Sequence, residues 1–286
     1  MSIYLTDAAQ AEFDAEVKHL YQGAALLNGA CRMRRNVVGS TANFRLTGKG
    51  VAKQKAVQSN VIPMNVTHVN RTATLQDWHA SDYSDIFAQA TVNFDEKSEL
   101  AKAVAMAMGR RADQIVIDGA LATDAAANAA AVDTNVGGTA SGFNLDKVLR
   151  LSRLLNAAGV PNSGRHLAVT ARALEQCLLI SQFSSADYNG MRALQSGEIN
   201  SFAGFMWHIF DDRTAAGAEG GLPIVSGAIR QGWAWHQDAV GLAVGIDIST
   251  EINYIPEKTS FLVTGKFKAG SVGIDITGIQ GVQYTE

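Results

Sequence analysis

The cleanest hydrophobic pattern lies in the last fifth of the chain. Val240, Leu242, Val244, Ile246, Ile248, Thr250, Ile252 and Tyr254 take every even position, and Ala, Gly, Asp, Ser, Glu and Asn fill the odd ones. Period two over this length predicts a long strand, or a strand with a bend, with one face buried. Phe261, Val263 and Phe267 repeat the alternation beyond Pro256-Glu257-Lys258, and Val272, Ile274 and Ile276 repeat it after Gly270. Upstream the period becomes helical. From about Asp95 to Ala122, Leu100, Val104 and Met108 recur every four residues, with Ala101, Ala105 and Ala112 beside them and Ile115 and Val116 following. Asn93, three residues before Glu96, gives a start like a capping box. At about 1.5 Å per residue this helix is on the order of 40 Å long. An antiparallel sheet covered on one face by the helix is the natural packing.

A second helix is predicted from Asn144, its N-cap, to Ala158, with an apolar stripe through Leu145, Val148, Leu149, Leu151, Leu154 and Leu155, Gly159 at C′ and Pro161 beyond. Leu167 to Val169 reads as a short buried strand and Ala171 to Leu179 as a further helix. Ser181 to Gln237 is irregular, holds three of the four tryptophans, and suggests a second lobe with short strands at Phe205–Ile209 and Pro223–Val225. Near the start, Val37 to Lys55 is rich in Gly, Thr and small residues, as in an extended hairpin. Strand character resumes at Val66–Val69 and Arg71–Leu75 after Pro63. A lone two-stranded ribbon is marginal in water. The expectation is that it borrows a partner's surface.

Charge sharpens this picture. The 286 residues carry 24 Lys and Arg against 27 Asp and Glu, a net charge of −3. From Val17 to Gln76 there is no acidic residue, while Lys18, Arg32, Arg34, Arg35, Arg45, Lys49, Lys53, Lys55 and Arg71 all fall there. Such a stretch binds an outside polyanion, docks on the acidic body of another copy, or is a solvated basic face. Nucleic-acid modules interleave aromatics among their basic residues, and here Phe44 stands almost alone. Docking on another copy is therefore favoured, with Glu96, Glu99 and Asp113 of the next subunit as candidate acidic partners. Charged residues make up 18% of the chain, against about 25% in typical domains, which fits an outer face hidden against copies of itself.

Candidate chemistry is sparse. The sequence shows no phosphate-binding loop, dinucleotide fingerprint, nucleophile elbow or His-Glu-x-x-His word. Asp77, His79, Asp82 and Asp85 are metal-ligand types without a fixed spacing. Trp207-His208 with Asp211 and Asp212, and Trp235-His236 with Asp238, read as half-buried tryptophans at loop rims beside ordinary histidines. Cys177 lies on an apolar helical face. Cys31 stands before three arginines without a histidine partner, and two cysteines make no disulfide framework. The residues give no catalytic, metal or cofactor site. The N-terminus carries Asp7, Glu12, Asp14 and Glu16 and lacks the apolar core of a signal peptide. No charge-free apolar run reaches the roughly 18 residues of a membrane span, so the chain is expected to be intracellular and soluble, with no membrane partner.

The order of parts resembles the major capsid protein of tailed bacteriophages, which has the Hong Kong ninety-seven capsid fold. The words that carry the resemblance are RLTGKGVAKQ running to NVIPMNVTHVNRTATLQDW, the helix DEKSELAKAVAMAMGRRADQIVIDGAL and the tail EKTSFLVTGKFKAGSVGIDITGIQGV. The resemblance implies an α+β fold with five parts. These are an N-terminal arm over 1–30, an extended β-hairpin loop over 31–85, a peripheral domain with the spine helix on an antiparallel sheet over 86–142, a second α/β axial domain over 143–238, and a peripheral β return over 239–286. It implies a non-enzymatic shell protein that assembles as pentamers and hexamers in the host bacterial cytoplasm and ends in the virion capsid around double-stranded DNA. With so short a lead before the arm, a separate scaffolding protein is expected, along with a portal and a decoration or cement protein. On this view Arg32, Arg34, Arg35, Arg45, Lys49, Lys53, Lys55 and Arg71 are inter-subunit contacts. A nanocompartment shell of the encapsulin kind, a basic-arm nucleic-acid-binding protein and a metal-dependent hydrolase built on Asp77, His79 and Asp82 are the alternatives.

Overall fold

A computed structural model describes residues 25–27, 29–89, 95–180, 201–211 and 221–286. In chain order the strands are β1 (Arg32–Arg34), β2 (Thr41–Thr47), β3 (His68–Thr74), β4 (Gln76–Asp85), β5 (Arg165–Thr170), β6 (Ser201–Phe202), β7 (Phe205–Phe210), β8 (Ile224–Ser226), β9 (Ile229–His236), β10 (Val240–Ile255), β11 (Ser260–Gly273) and β12 (Ile279–Thr285). The helices are α1 (Ile86–Gln89), α2 (Glu96–Ile115), α3 (Leu145–Ala157) and α4 (Ala171–Leu178). One sheet runs β1-β10-β11-β4, a second runs β12-β9-β5-β7-β6 with β8 on β9, and β2 pairs with β3 alone.

The long helix forms where its periodicity predicts. Asp95 stands at its N-cap without a side-chain bond, and Asn93 lies outside the described residues. Beyond Ile115 it continues as a π-helical stretch, Val116–Thr123. The Ser271 hydroxyl donates to the Ile115 carbonyl at 2.6 Å, taking up an acceptor of the helical ladder where the step changes. α2 lies along β11 and β4. Val263 and Phe267 of β11 are buried toward it, Ser84 donates to Glu96 at 2.7 Å, and the Arg111 guanidinium sits 3.5 Å over the Trp78 ring.

The opposite face of this sheet is covered by the root of the β2-β3 hairpin. Ala42, Phe44, Ala73 and Leu75 pack there against Ala243, Val272 and Ile274 in a core of their own. The contact is close enough that a Cβ at Gly270 would stand 2.0 Å from the Thr74 carbonyl oxygen. The expected dependence on a partner's surface is thus met in part within the chain. Two segments of the 31–85 stretch also lie in the sheet, because β1 pairs parallel with β10 and β4 pairs with β11 over ten residues. The free loop lies between residues 48 and 67.

The second lobe is a mixed sheet with α3 and α4 on one face. Their core holds Phe143, Val148, Leu151, Leu155, Leu174 and Cys177 against Leu167, Val169, Ala234 and Tyr284. Asn144 accepts from the Lys147 backbone at 3.0 Å, and Gly159 has φ +77°, the cap and C′ that the sequence predicts. The last strand, β12, pairs with β9 in this second sheet, so the C-terminal return serves both sheets. β9, read from sequence as irregular, is a central strand. Its polar residues are satisfied inside: Arg230 pairs with Glu286 at 2.8 Å, and the Gln231 amide donates to the Ala129 carbonyl at 2.7 Å.

Gly270→Ala is expected to lower stability by about 1–3 kcal/mol by forcing the hairpin root off the sheet. Urea denaturation measures the loss. Hydrogen exchange should rise in β2 and β3 and stay unchanged in β5.

Candidate assembly surfaces

The hairpin root is buried, but the loop beyond it touches little. Val51, Val57, Val61, Ile62 and Met64 are exposed, Val57 at 94% of its full area, and Lys53 and Lys55 stand among them. Soluble surfaces rarely leave such a concentration of aliphatic side chains to water without a partner. Lys49, next along, is engaged within the chain, its Nζ donating at 3.0 Å to the Ala158 carbonyl at the end of α3. There a cation meets the negative end of a helix.

A second bare surface lies at the far end of the long ribbon. A helix about 10–12 Å across covers roughly two strands spaced about 4.8 Å apart. α2 lies chiefly over β11 and β4 and reaches only part of β10, so the distal part of β10 is left uncovered. Ile246, Ile248, Ile252 and Tyr254 are each between 44% and 49% exposed. The predicted burial of the even face therefore holds only for Val240 and Leu242, Val244 is half-buried, and the register shifts between Val244 and Ser249 mark where it stops. On its outer side β10 is paired with β1 only from Gly241 to Ala243, and among the described strands nothing continues that pairing. The result is an open strand edge with an apolar face.

The arginines gather at the hairpin root. Arg32, Arg34, Arg35 and Arg45 are exposed and line an open groove of about 930 Å³. Arg34 donates to the Asn43 carbonyl, and among the described residues none of the four is within ion-pair distance of a carboxylate. Arg71 is half-buried on β3 with its Nε unpartnered. The acids chosen from sequence fare differently. Glu96 accepts from Ser84, and Glu99 pairs with Lys102 at 2.9 Å. Asp113 is 3% exposed and accepts from the Leu26 and Leu27 backbone amides at 2.8 and 3.0 Å, so it is withdrawn from the set that a neighbour's cations can reach. Exposed acids on that sheet include instead Asp82 and Asp85 on edge strand β4, Glu257 in the turn between β10 and β11, and Asp77, which pairs with Lys268 at 3.2 Å while 78% exposed.

Asp113 belongs to an anchor that sequence reasoning missed. It holds residues 26 and 27 to α2. Trp235 Nε1 donates to the Ala30 carbonyl at 2.8 Å, the Gln237 amide donates to the Gly29 carbonyl at 3.2 Å, and His208 hydrogen-bonds the Leu26 backbone. His166 Nδ1 lies 2.9 Å from His208 Nε2, and both rings stack on Trp235. Burial, then the neighbouring His208 and His236, pushes His166 down to about 4; burial also lowers His208. The pattern was legible only as scattered histidines, since the three strands that supply them meet through long-range pairing. Burial, with Asp113 second, raises the Cys31 thiol to about 12, and burial raises Cys177 to about 12, so neither is a ready nucleophile. β4 turns Asp82 to the face opposite His79, and no group of three metal-ligating side chains meets among the described residues. Asp212 and residues 1–24 lie outside them. No helix among the described residues is long and apolar enough to cross a membrane.

Comparison with known proteins places these surfaces in context. A family profile described as phage capsid protein matches residues 5–286. No curated protein sequence matches significantly. Among solved structures, a Mycobacterium phage Che8 chain is 16% identical with TM-score 0.64, covering 96% of this chain and 97% of its own. The capsid of cyanophage P-SCSP1u is 14% identical with TM-score 0.69, covering 99% and 94%. The capsid of a native GTA particle is 14% identical with TM-score 0.68, covering 98% and 96%. At these identities the likeness is one of fold.

The histidine pair sets a pH dependence. Each ring is neutral when packed, with a folded pKa below its unfolded value of about 6.5. The unfolded chain then binds more protons, so stability is complete above about pH 6.5 and falls as pH drops toward 4. Replacing His166 and His208 by Gln is expected to flatten the loss in urea midpoint between pH 7 and pH 5. An unchanged slope would contradict this assignment.

Proposed function

The chain belongs to the phage capsid protein family, and from that premise we propose that it encloses double-stranded DNA in an icosahedral shell of pentamers and hexamers, each copy covering what its neighbour leaves bare. The observation that carries this reading is the loop between residues 48 and 67. Its root is packed on its own sheet, whereas its tip presents Val57, Val61, Ile62 and Met64 to water. A tip of this kind gains its burial from a second copy. At about 25 cal/mol per Å², a few hundred Å² of apolar area offset several kcal/mol of association cost.

Charge guides the encounter. Lys53 and Lys55 on the tip, with Arg45 and Arg71 nearer the root, meet the acidic edge of a neighbouring sheet, where Asp82 and Asp85 lie beside Glu96. Attraction between extended patches tolerates the small changes of angle between pentamers and hexamers better than interlocked side chains do. The role is structural, with no catalytic step assigned. Assembly in the host cytoplasm on a separate scaffolding protein, with a portal at one vertex and a decoration or cement protein outside, completes the proposal. A shell loaded with a cargo enzyme in place of DNA would favour the nanocompartment reading.

Sedimentation of the purified full chain, with negative-stain microscopy of the heavy fraction, tests this. Closed shells or rings of five and six are expected. A persistent 30.4 kDa species with scaffold supplied would refute it. Lys53→Glu with Lys55→Glu should slow assembly roughly tenfold at ordinary salt, read by light scattering, while leaving the monomer's thermal midpoint unchanged.

A further inference from the structure

The outer edge of β10 is taken up by β1 only from Gly241 to Ala243, and the Val37 amide donates once more to the Val244 carbonyl at 3.1 Å. From Gly245 to Ile255 no described strand pairs with that edge. Natural sheets guard exposed edges with lysine, proline or bulges, and from Ser249 to Ile255 this strand has none of them. The midpoint of the bare stretch is Thr250. Gly265, opposite Thr250 in β11, faces Val104 and Met108 of α2, so Thr250, Ile252 and Tyr254 lie on the α2 side of the sheet. Ile248 lies on that side too, since it lines a cleft with Val116 and Phe267. Laid antiparallel on itself about Thr250, the stretch is self-complementary. Ile248 falls opposite Ile252, Thr250 opposite Thr250, Ser249 opposite Glu251 and Asp247 opposite Asn253. A slip of two residues either way sets Glu251 against itself or against Asp247, and like charges directly opposed are destabilising.

We infer that β10 pairs edge to edge with β10 of a second copy about a two-fold axis through Thr250, joining two four-stranded sheets into one. The backbone groups of the bare edge then find antiparallel partners, and Ile248 and Ile252, 44% and 47% exposed in the single chain, cover one another across the axis. Glu251 brings its own counter-ion to the contact, because Lys266 of β11 pairs with it. A two-fold axis that sets the strands antiparallel stands perpendicular to the joined sheet, so both α2 helices lie on one side of it. A curved wall with a single inner face requires that arrangement. Head-to-tail contacts close rings of five and six and are then used up, so joining ring to ring needs a contact of another kind, and an isologous one meets the need. This use of the pairing rests on the shell reading, whereas the pairing itself does not.

The test links cysteines in the full chain, whose native Cys31 and Cys177 are buried. Thr250→Cys alone should form a disulfide-linked dimer under mild oxidation, and so should an equal mixture of Ile248→Cys and Ile252→Cys chains. Either member of the mixture alone should link roughly tenfold less, because about 13 Å of strand separates its cysteine from the same position in the other copy, beyond disulfide reach. Thr250→Lys in both members places two ammonium groups on the axis and should abolish the link while leaving the thermal midpoint unchanged. Equal linking by the mixture and by its separate members, equal linking with and without Thr250→Lys, or no linking at all would overturn the inference. Sedimentation keeps the two readings apart. Particles without links refute the pairing and leave the shell standing, whereas linked dimers that build no particle with scaffold supplied refute the shell and leave the pairing standing.

Discussion

A helix covers about two strands, and this sheet presents more than two. That limit of width governs the molecule. α2 lies over β11 and β4, the hairpin root lies over the opposite face near Gly270, and the distal half of β10 is left with Ile246, Ile248, Ile252 and Tyr254 half in water. The chain has no further element among the described residues with which to close that end. An uncovered ribbon and an uncovered loop tip are liabilities for a monomer. In the shell proposed above they become the contact surfaces.

The interior is arranged to hold these surfaces apart. Gln231 and Arg230 bury polar groups in β9 and are satisfied by the Ala129 carbonyl and Glu286, which ties the second sheet to the turn after the π-helical stretch and to the C-terminal strand. Asp113 pins Leu26 and Leu27 to α2, and Trp235 pins Ala30 to β9. Lys49 fixes the base of the free loop to α3. The bare tip therefore projects from anchored ends.

Much of this was legible in sequence. Period two from Val240 to Tyr254 and period four from Leu100 to Met108 gave the ribbon and its helix, and Asn144 with Gly159 bracketed α3. The central strand β9 of the second sheet was hidden because Arg230, Gln231 and Gly232 break the alternation, and only long-range partners make such residues tolerable in a core. The basic stretch was visible as charge, but charge alone does not separate a groove at the root, where Arg32 and Arg34 lie, from a tip that is chiefly apolar. Asp113 shows the same gap. As a letter it is an acid on an exposed-looking turn of helix, and only folding reveals that two backbone amides use it. Apolar alternation likewise predicts a buried face without saying whether the same chain or the next one buries it.

The most direct measurement is hydrogen exchange on free subunits and on assembled particles of the same protein. Slowed exchange on assembly is predicted at residues 48–67 and along 246–255, with β5 and α3 unchanged. Equal exchange at both surfaces before and after assembly would contradict the view that neighbouring copies cover what α2 and the hairpin root leave bare.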